Sequence, residues 1–382
     1  AFLSKWLWQD PIDALIGSLT IGRHVAGGTI NDTSSLTMPG GTLVASSILL
    51  AEKTGAGTPT LTSTLTQGGG SVSTGTLTFG LDAGGGATAR LLPTYNLNGG
   101  TLRAATLTAG GGAFASNSSR NLNLAGGTLT HSVGSDLTLT GLDTSLAGRL
   151  NLNVSAASVI SADAGRTVTI GDHALLSGVA ALTKSGDGTL RILSDASGYT
   201  GAMTVSAGTI GGTTTLGGSL NVSAGATLSP GASVGTFGVN GALTLASNAT
   251  LRIEIDSDTA YDQLIAAGTV DLAGAQLQLV SPTNYFSPGG GGENVAGLSY
   301  TILNKTSSGA VSGTLFLGMT ELVQGAQFSS AGTLWSIDYF GGDGNDIVLT
   351  SVPEPSMLGV LGLATLTLQR RRRSCPADPI TS

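Results

Sequence analysis

The most constraining feature of this 382-residue sequence is a short glycine-containing unit that recurs along the chain. A repeated unit that cannot bury its apolar face alone must stack on its neighbours, so internal repetition decides the fold class before anything else. Here each copy joins a glycine turn to the start of an apolar stretch. The clearest copies are Gly27-Gly28-Thr29-Ile30, Gly40-Gly41-Thr42-Leu43, Gly99-Gly100-Thr101-Leu102 and Gly126-Gly127-Thr128-Leu129, with looser copies beginning at Gly188, Gly208, Gly217 and Gly332.

Polar and apolar residues alternate between these turns, as in residues 150–154 and 167–170. A period of two places Leu, Val and Ile on one face of a strand and Thr, Asn and Ser on the other. No segment before the extreme C-terminus has a sustained apolar period of 3.6 residues. The body of the chain is therefore predicted to be all-β.

The composition limits the function classes. Charged residues make up 10% of the chain, against roughly 25% in ordinary globular domains. Apolar residues still reach 40% and the net charge is only -7, so burial can offset chain entropy and the body is expected to fold. The acidic balance provides no basic face, and no nucleic-acid partner is expected.

Among all-β architectures, the repeat favours a right-handed parallel β-helix, or solenoid, of short repeats over an array of β-sandwiches. The Thr residues of successive units are 13, 27 and 20 positions apart at 29 to 42, 101 to 128 and 189 to 209. These spacings centre near the length of one solenoid coil. The aromatic content of 4% also suits a narrow core stacked from aliphatic side chains.

One stretch has a more specific likeness. Residues 181–190 read Ala-Leu-Thr-Lys-Ser-Gly-Asp-Gly-Thr-Leu, and residues 198–210 read Gly-Tyr-Thr-Gly-Ala-Met-Thr-Val-Ser-Ala-Gly-Thr-Ile. This pattern resembles the autotransporter-associated β-strand repeat of bacterial passenger domains. The resemblance implies a β-helical passenger and implies no chemistry. A passenger whose gene continues into a translocation domain is one alternative.

The C-terminal segment changes character. Val352 is followed by Pro353, Glu354 and Pro355, and prolines at this spacing break a strand. An uncharged apolar run follows at 357–368, and a cluster of four arginines comes next: Arg370, Arg371, Arg372 and Arg373. As a helix the run would be about 18 Å long, shorter than the hydrocarbon core of roughly 30 Å. It predicts a short C-terminal transmembrane helix, with the arginines as a cytoplasmic membrane stop.

A Pro-Glu-Pro motif, an apolar helix and an arginine cluster in this order are similar to the PEP-CTERM sorting signal. The resemblance implies recognition by an exosortase-like membrane protease, processing near Pro353, Glu354 and Pro355, transient capture in the inner membrane, and delivery of the body to the exterior. One departure is that residues 374–382 follow the arginines, whereas such signals usually end close to them.

Four regions are predicted. Residues 1–293 form the β-solenoid, and its opening lacks the pattern of a signal peptide, so an N-terminal region with an export signal is expected to precede it. Residues 294–350 are expected to be capping β-strands. Residues 351–373 form the sorting signal, and 374–382 a disordered tail.

Candidate chemistry is sparse. Residues 341–348 match one copy of the glycine-rich nonapeptide that binds calcium in β-rolls, so Asp343 and Asp346 could hold one weakly bound ion; a hairpin turn is the simpler interpretation. His24, His131 and His173 share no metal-ligand spacing and are expected in solvated turns. No metal or other cofactor is expected.

Parallel β-helices also carry polysaccharide-cleaving enzymes, and glycoside hydrolysis needs two carboxylates roughly 5 to 9.5 Å apart. Glu254, Asp256 and Asp258 could be that close. No Arg, Lys or aromatic cluster is expected beside them, and no serine occupies a nucleophile elbow. The sequence thus favours an exported, non-catalytic structural or adhesive protein of the cell surface or the exopolysaccharide matrix. A surface-displayed carbohydrate-active enzyme is the alternative.

Overall fold

A computed structural model describes residues 5–7, 12–25, 27–29, 31–84, 88–145, 147–286 and 297–352. These residues contain strands and turns and no α-helix, so the all-β prediction is confirmed. The first strands are long: β1 (Lys5–Leu7), β2 (Ile12–His24), β3 (Asp32–Met38), β4 (Gly41–Lys53), β5 (Thr60–Gln67), β6 (Ser71–Asp82), β7 (Arg90–Leu97) and β8 (Thr101–Ala109).

Most later strands are shorter, as the following two groups give. The middle group is β9 (Arg120–Ala125), β10 (Thr128–His131), β11 (Leu137–Thr140), β12 (Leu150–Ala156), β13 (Ser158–Ser161), β14 (Thr167–Ile170), β15 (Ala174–Gly178), β16 (Leu182–Ser185), β17 (Thr189–Ile192), β18 (Met203–Val205), β19 (Thr209–Gly212), β20 (Thr214–Leu216), β21 (Leu220–Val222) and β22 (Thr227–Pro230). The last group is β23 (Thr236–Val239), β24 (Leu243–Leu245), β25 (Thr250–Glu254), β26 (Gln263–Ala266), β27 (Val270–Asp271), β28 (Gln276–Val280), β29 (Ser299–Lys305), β30 (Leu315–Leu317), β31 (Thr320–Leu322), β32 (Gln327–Ser330), β33 (Thr333–Gly341) and β34 (Asp346–Val352).

The strands stack in parallel as the three faces of a solenoid. The first face contains β1, β3, β5, β7, β9, β12 and β15 and continues through β20, β23, β26 and β29. The second face begins with the N-terminal halves of β2, β4, β6 and β8 and continues through β10, β13, β16, β18, β21, β24 and β27. The C-terminal halves of those four long strands begin the third face, which continues through β11, β14, β17, β19, β22, β25, β28 and β30. These parallel sheets agree with the predicted β-helix; its right-handedness stays a prediction.

The register explains which glycine spacings were informative. Thr101 pairs with Thr128, and Thr189 pairs with Thr209, so the spacings of 27 and 20 each measure one coil. The spacing of 13 does not, because Thr29 precedes β3 and Thr42 lies in β4 of the same coil. Coils therefore shorten along the chain, and the sequence spacing mixed two different corners.

The core is a stack of aliphatic columns inside the coils. On the first face, Leu36, Leu65, Tyr95, Leu122, Leu152 and Leu176 are paired in register from coil to coil, and all are buried. Burying each leucine contributes roughly 1.5–3 kcal/mol relative to leaving it exposed. Because each coil supplies the floor of the next, the apolar period of two along the sequence becomes a continuous apolar column along the axis.

The alternation slips by one residue where a long strand turns a corner. In β4 the inward residues are Leu43 and Ala45 before the corner and Ile48 and Leu50 after it, while Ser46 and Ser47 both face outward. The extra outward residue lets one continuous strand serve two faces. A strict alternation from end to end would have placed half of the strand inside out.

Antiparallel strands close the C-terminal end of the described stack. β29 pairs in parallel with β26 and antiparallel with β34, and β34 also pairs antiparallel with β33. The buried rings of Phe286, Tyr300 and Trp335 pack edge to face in this region. Closure by antiparallel strands leaves fewer unpaired backbone groups at the end of the stack.

The predicted transmembrane helix and sorting signal, including Pro353, Glu354, Pro355 and Arg370 to Arg373, lie outside the described residues. Among the residues that the structure does describe, there is no helix of the length and apolar character needed to cross a bilayer.

Candidate functional site

Inward-pointing polar side chains hold the corners of the solenoid. Lys184 continues the inward face of β16 that begins with Leu182, and it is fully buried. Its ammonium donates hydrogen bonds to the carbonyl oxygens of Ser185 at 3.1 Å, Gly186 at 2.7 Å and Ala207 at 2.9 Å. Burial lowers the pKa of Lys184 to about 8. The side chain thus clamps its own turn to the turn of the next coil.

A tyrosine holds a second corner of the same coil. Tyr199 is buried, and its hydroxyl lies 2.9 Å from the carbonyl oxygens of both Ala180 and Ala202. Burial raises the pKa of Tyr199 to about 12, so the hydroxyl keeps its proton at neutral pH and can donate it to one of them.

Glycine stacking completes the turn that Lys184 clamps. Gly208 has a φ of +66°, and a Cβ there would lie 2.3 Å from the carbonyl oxygen of Gly188. A side chain at 208 would therefore push successive turns apart, besides straining the backbone. The Lys, Tyr and Gly positions of this stretch all have one structural purpose, which is to close a coil on the one before it.

The comparison with known families falls on this coil. The sequence model of the family described as Passenger-associated-transport-repeat matches residues 182–211. The coil is a passenger-type repeat. The repeat suggests an exported surface protein, and the match covers one coil of the solenoid. No curated protein matches the chain.

Three more buried cations extend the corner arrangement to other coils. The Lys53 ammonium lies 2.9 Å and 3.1 Å from the two carboxylate oxygens of Asp82, one coil further along. Arg120 donates to the carbonyl of Phe79 at 2.8 Å. Lys305 donates to the Ser307 carbonyl at 2.8 Å. The sequence contained a signal for Lys184, since it shares the parity of Leu182 and must point inward, but the analysis of the motif drew no structural role from it.

The carboxylates considered for glycoside hydrolysis are bound into the framework. Glu254 forms an ion pair with Arg252. The buried carboxylate of Asp262 accepts hydrogen bonds from the backbone N–H groups of Gly235 at 2.9 Å and Glu254 at 2.9 Å. Asp262 was not singled out in the sequence, because its role depends on a turn between coils that the pattern does not reveal. Burial raises the pKa of Asp262 to about 7.

The expectation that no Arg or aromatic residue accompanies these carboxylates is wrong. Besides the Arg252 partner of Glu254, the rings of Tyr261 and Tyr300 pack edge to face with centroids 5.1 Å apart, and Asp258 contributes to raising the pKa of Tyr300, after burial and Tyr285. Tyr300 is separated by 39 residues from Tyr261 and reaches it only through the stacking of β29 on β26. Tyr300 itself is fully buried, so its ring belongs to the closing core and offers no open sugar platform.

The pH dependence of stability should report on Asp262. Its pKa is higher in the folded chain, about 7, than the usual value near 4, so folding favours the protonated acid. The free energy of unfolding should therefore fall as the pH rises from about 4 to about 7, by a few kcal/mol at most. Asp262→Asn should remove this component of the slope, whereas Asp258→Asn, at an exposed position, should keep it. Urea unfolding across this pH range measures both, and equal slopes in the two variants would contradict the assignment.

The glycine-rich turn considered for calcium joins β33 to β34. Asp343 is exposed, whereas Asp346 is buried and accepts a hydrogen bond from the Lys305 N–H at 2.8 Å. Asp346 thus anchors the end of β29. Among the described residues, no group of three or more His, Cys, Asp or Glu side chains is arranged to hold a metal ion.

Calcium should therefore leave the stability of this turn unchanged. We expect the melting temperature to be the same in a few millimolar CaCl2 and in excess EGTA. A calcium-dependent rise of more than about 2 °C, lost in Asp343→Ala, would establish an ion site there, because a bound ion stabilises the folded state by mass action.

The histidine expectation is wrong for two of the three residues. His24 and His131 are buried. The Nε2 atom of His131 accepts a hydrogen bond from the Asp163 N–H at 3.1 Å, and its Nδ1 lies 2.8 Å from the Ser132 carbonyl. His131 thus joins successive coils, much as the lysines do. His173 lies in a turn with a φ of +60°.

Proposed function

We propose that this chain is an exported, non-catalytic structural or adhesive protein of the cell surface or the exopolysaccharide matrix. The observation that carries the proposal is the passenger-type coil at 182–211, built into a parallel solenoid that continues on both sides of it. Repeat solenoids present long, regular surfaces. Such surfaces suit attachment through many weak contacts.

The internal use of the polar side chains supports the non-catalytic part of the proposal. Lys184, Lys53 and Asp262 spend their hydrogen-bonding capacity on backbone atoms or on each other's coils. A general acid or nucleophile needs a free polar group that can reach a substrate. In the coils described, the strongly buried ionisable groups are instead committed to holding turns.

The C-terminal motif supplies the proposed route. Pro353, Glu354 and Pro355 would be recognised by an exosortase-like membrane protease while residues 357–368 hold the chain in the inner membrane and Arg370 to Arg373 stop it there. The body would then pass to the exterior. The support for this step is the order of the three elements in the sequence and the positive-inside rule.

Cell fractionation with intact-mass analysis of the surface form tests the proposal. The native chain should reach the surface without the apolar run and the arginines, whereas replacement of Pro353, Glu354 and Pro355 by alanine should leave it in the inner membrane. A matched control is Pro376→Ala with Pro379→Ala, which changes two prolines beyond the arginines and should behave as native. If all three proteins keep their tails and distribute alike, the sorting route is wrong.

A further inference from the structure

The outer surface of the first face carries two straight columns of uncharged polar side chains. One column is Ser35, Thr64, Thr94, Asn121 and Asn151, and the other is Thr37, Thr66, Asn96, Asn123 and Asn153. All ten side chains are partly exposed. We call these ten residues the Thr/Asn face.

Strand geometry sets the spacing of this array. Neighbouring coils are about 4.8 Å apart, and outward positions two residues apart along a strand are separated by about 6.6 Å. Five coils therefore present a flat strip roughly 19 Å long and two side chains wide. A ligand that fits it must be extended and must repeat its own polar groups.

Hydrogen bonds between coils fix the side chains of the second column. The Asn96 amide donates to Thr66 Oγ1 at 3.3 Å, the Asn123 amide donates to Asn96 Oδ1 at 2.8 Å, and the Asn153 amide donates to Asn123 Oδ1 at 3.4 Å. In the first column the Asn151 amide donates to Asn121 Oδ1 at 3.1 Å. Each amide has further hydrogen-bonding positions than the ladder uses, and these are held in place before any ligand arrives.

The chemistry of the Thr/Asn face limits its partner. The two columns contain hydroxyls and amides and no charged group, so they offer nothing to an anionic polymer. They also contain no aromatic ring on which a sugar could stack. Hydroxyls and amides both donate and accept, which matches a partner whose groups do the same.

We propose that the Thr/Asn face binds an extended neutral polysaccharide along the solenoid axis, through hydrogen bonds from the sugar hydroxyls to successive coils. The inference deepens the proposed surface function by naming a partner class for one surface. Each contact is weak because water competes for it. Affinity arises from the number of coils engaged at once and from the fixed ladder, which reduces the ordering cost.

Co-sedimentation of the purified 382-residue chain with insoluble neutral polysaccharides tests the inference, using microcrystalline cellulose, curdlan and starch as probes. We expect retention on at least one of them, and the same retention at about 0.1 M and about 1 M NaCl, because screening affects only charged contacts. Asn123→Ala with Asn153→Ala should reduce the bound fraction at least fivefold. The isosteric single change Asn123→Asp should weaken binding too, since it adds an unmatched charge.

The matched control is Asn221→Ala with Thr244→Ala, which removes an outward amide and hydroxyl paired on adjacent coils of the second face; it should bind as native. Circular dichroism confirms that each variant is folded. Retention on none of the three polymers, equal retention of all variants, or loss of binding in salt would each overturn the inference. Surface delivery in the fractionation experiment does not involve this face, so the two proposals can fail separately.

Discussion

Replacement of Lys53 by methionine should be among the most destabilising single changes in the chain. Lys53 and Asp82 are both buried, and their charged groups are 2.9 Å apart on successive coils. Removal of the ammonium leaves a carboxylate buried with its partner lost, which costs about 3–5 kcal/mol. Guanidinium unfolding followed by circular dichroism should record this loss for Lys53→Met.

The double variant Lys53→Met with Asp82→Leu separates the pair energy from the cost of leaving one charge behind. It should lose at least about 2 kcal/mol less than the sum of the two single changes. The neighbouring pair Arg23–Glu52 is a matched control, since it also joins two coils at 3.0 Å but has Arg23 49% exposed. Arg23→Met should cost no more than about 1 kcal/mol. Similar losses for Lys53→Met and Arg23→Met would contradict the buried-clamp interpretation.

Replacement of Lys184 by methionine should have the second large effect. Three carbonyl oxygens, of Ser185, Gly186 and Ala207, would lose a charged donor inside a corner that water does not reach. Buried polar groups without partners cost about 1–3 kcal/mol each. Relaxation of the turn should limit the total loss to about 2–4 kcal/mol.

The position of the effect matters as much as its size. Since solenoid coils contact only their neighbours, hydrogen exchange should accelerate mainly in β16 to β19 and should change little in β4 and β6. Thr183→Ala, on the outward side of the same strand, is the matched control and should cost less than about 0.5 kcal/mol. Unchanged exchange in Lys184→Met would mean that the lysine does not hold the corner.

Local patterns predicted the fold class well, because a solenoid is built from interactions that the sequence displays directly. Alternation placed Leu122 and Leu152 inside and Asn121 and Asn123 outside, as the structure has them. The parallel stacking then follows from the repeat. The same patterns could not give the corner slip in β4, where the direction of the side chains depends on how the backbone turns.

The corner chemistry was harder to predict because it joins residues that are one coil apart. Lys53 reaches Asp82 over 29 residues, and Asp262 reaches Gly235 over 27. Coil lengths vary along the chain, so the sequence did not reveal which residues would lie above one another. His131 was placed in solvent for the same reason, since its partner Asp163 lies on the next coil.

The central claim is that the solenoid is displayed outside the cell. An epitope inserted after Val133 would test it directly, because that side chain is 91% exposed and the following Gly134 leaves open space in a turn. The account predicts equal antibody labelling of intact and permeabilised cells, and loss of the label when intact cells are treated with protease. Labelling that requires permeabilisation, with the protein protected from external protease, would contradict it.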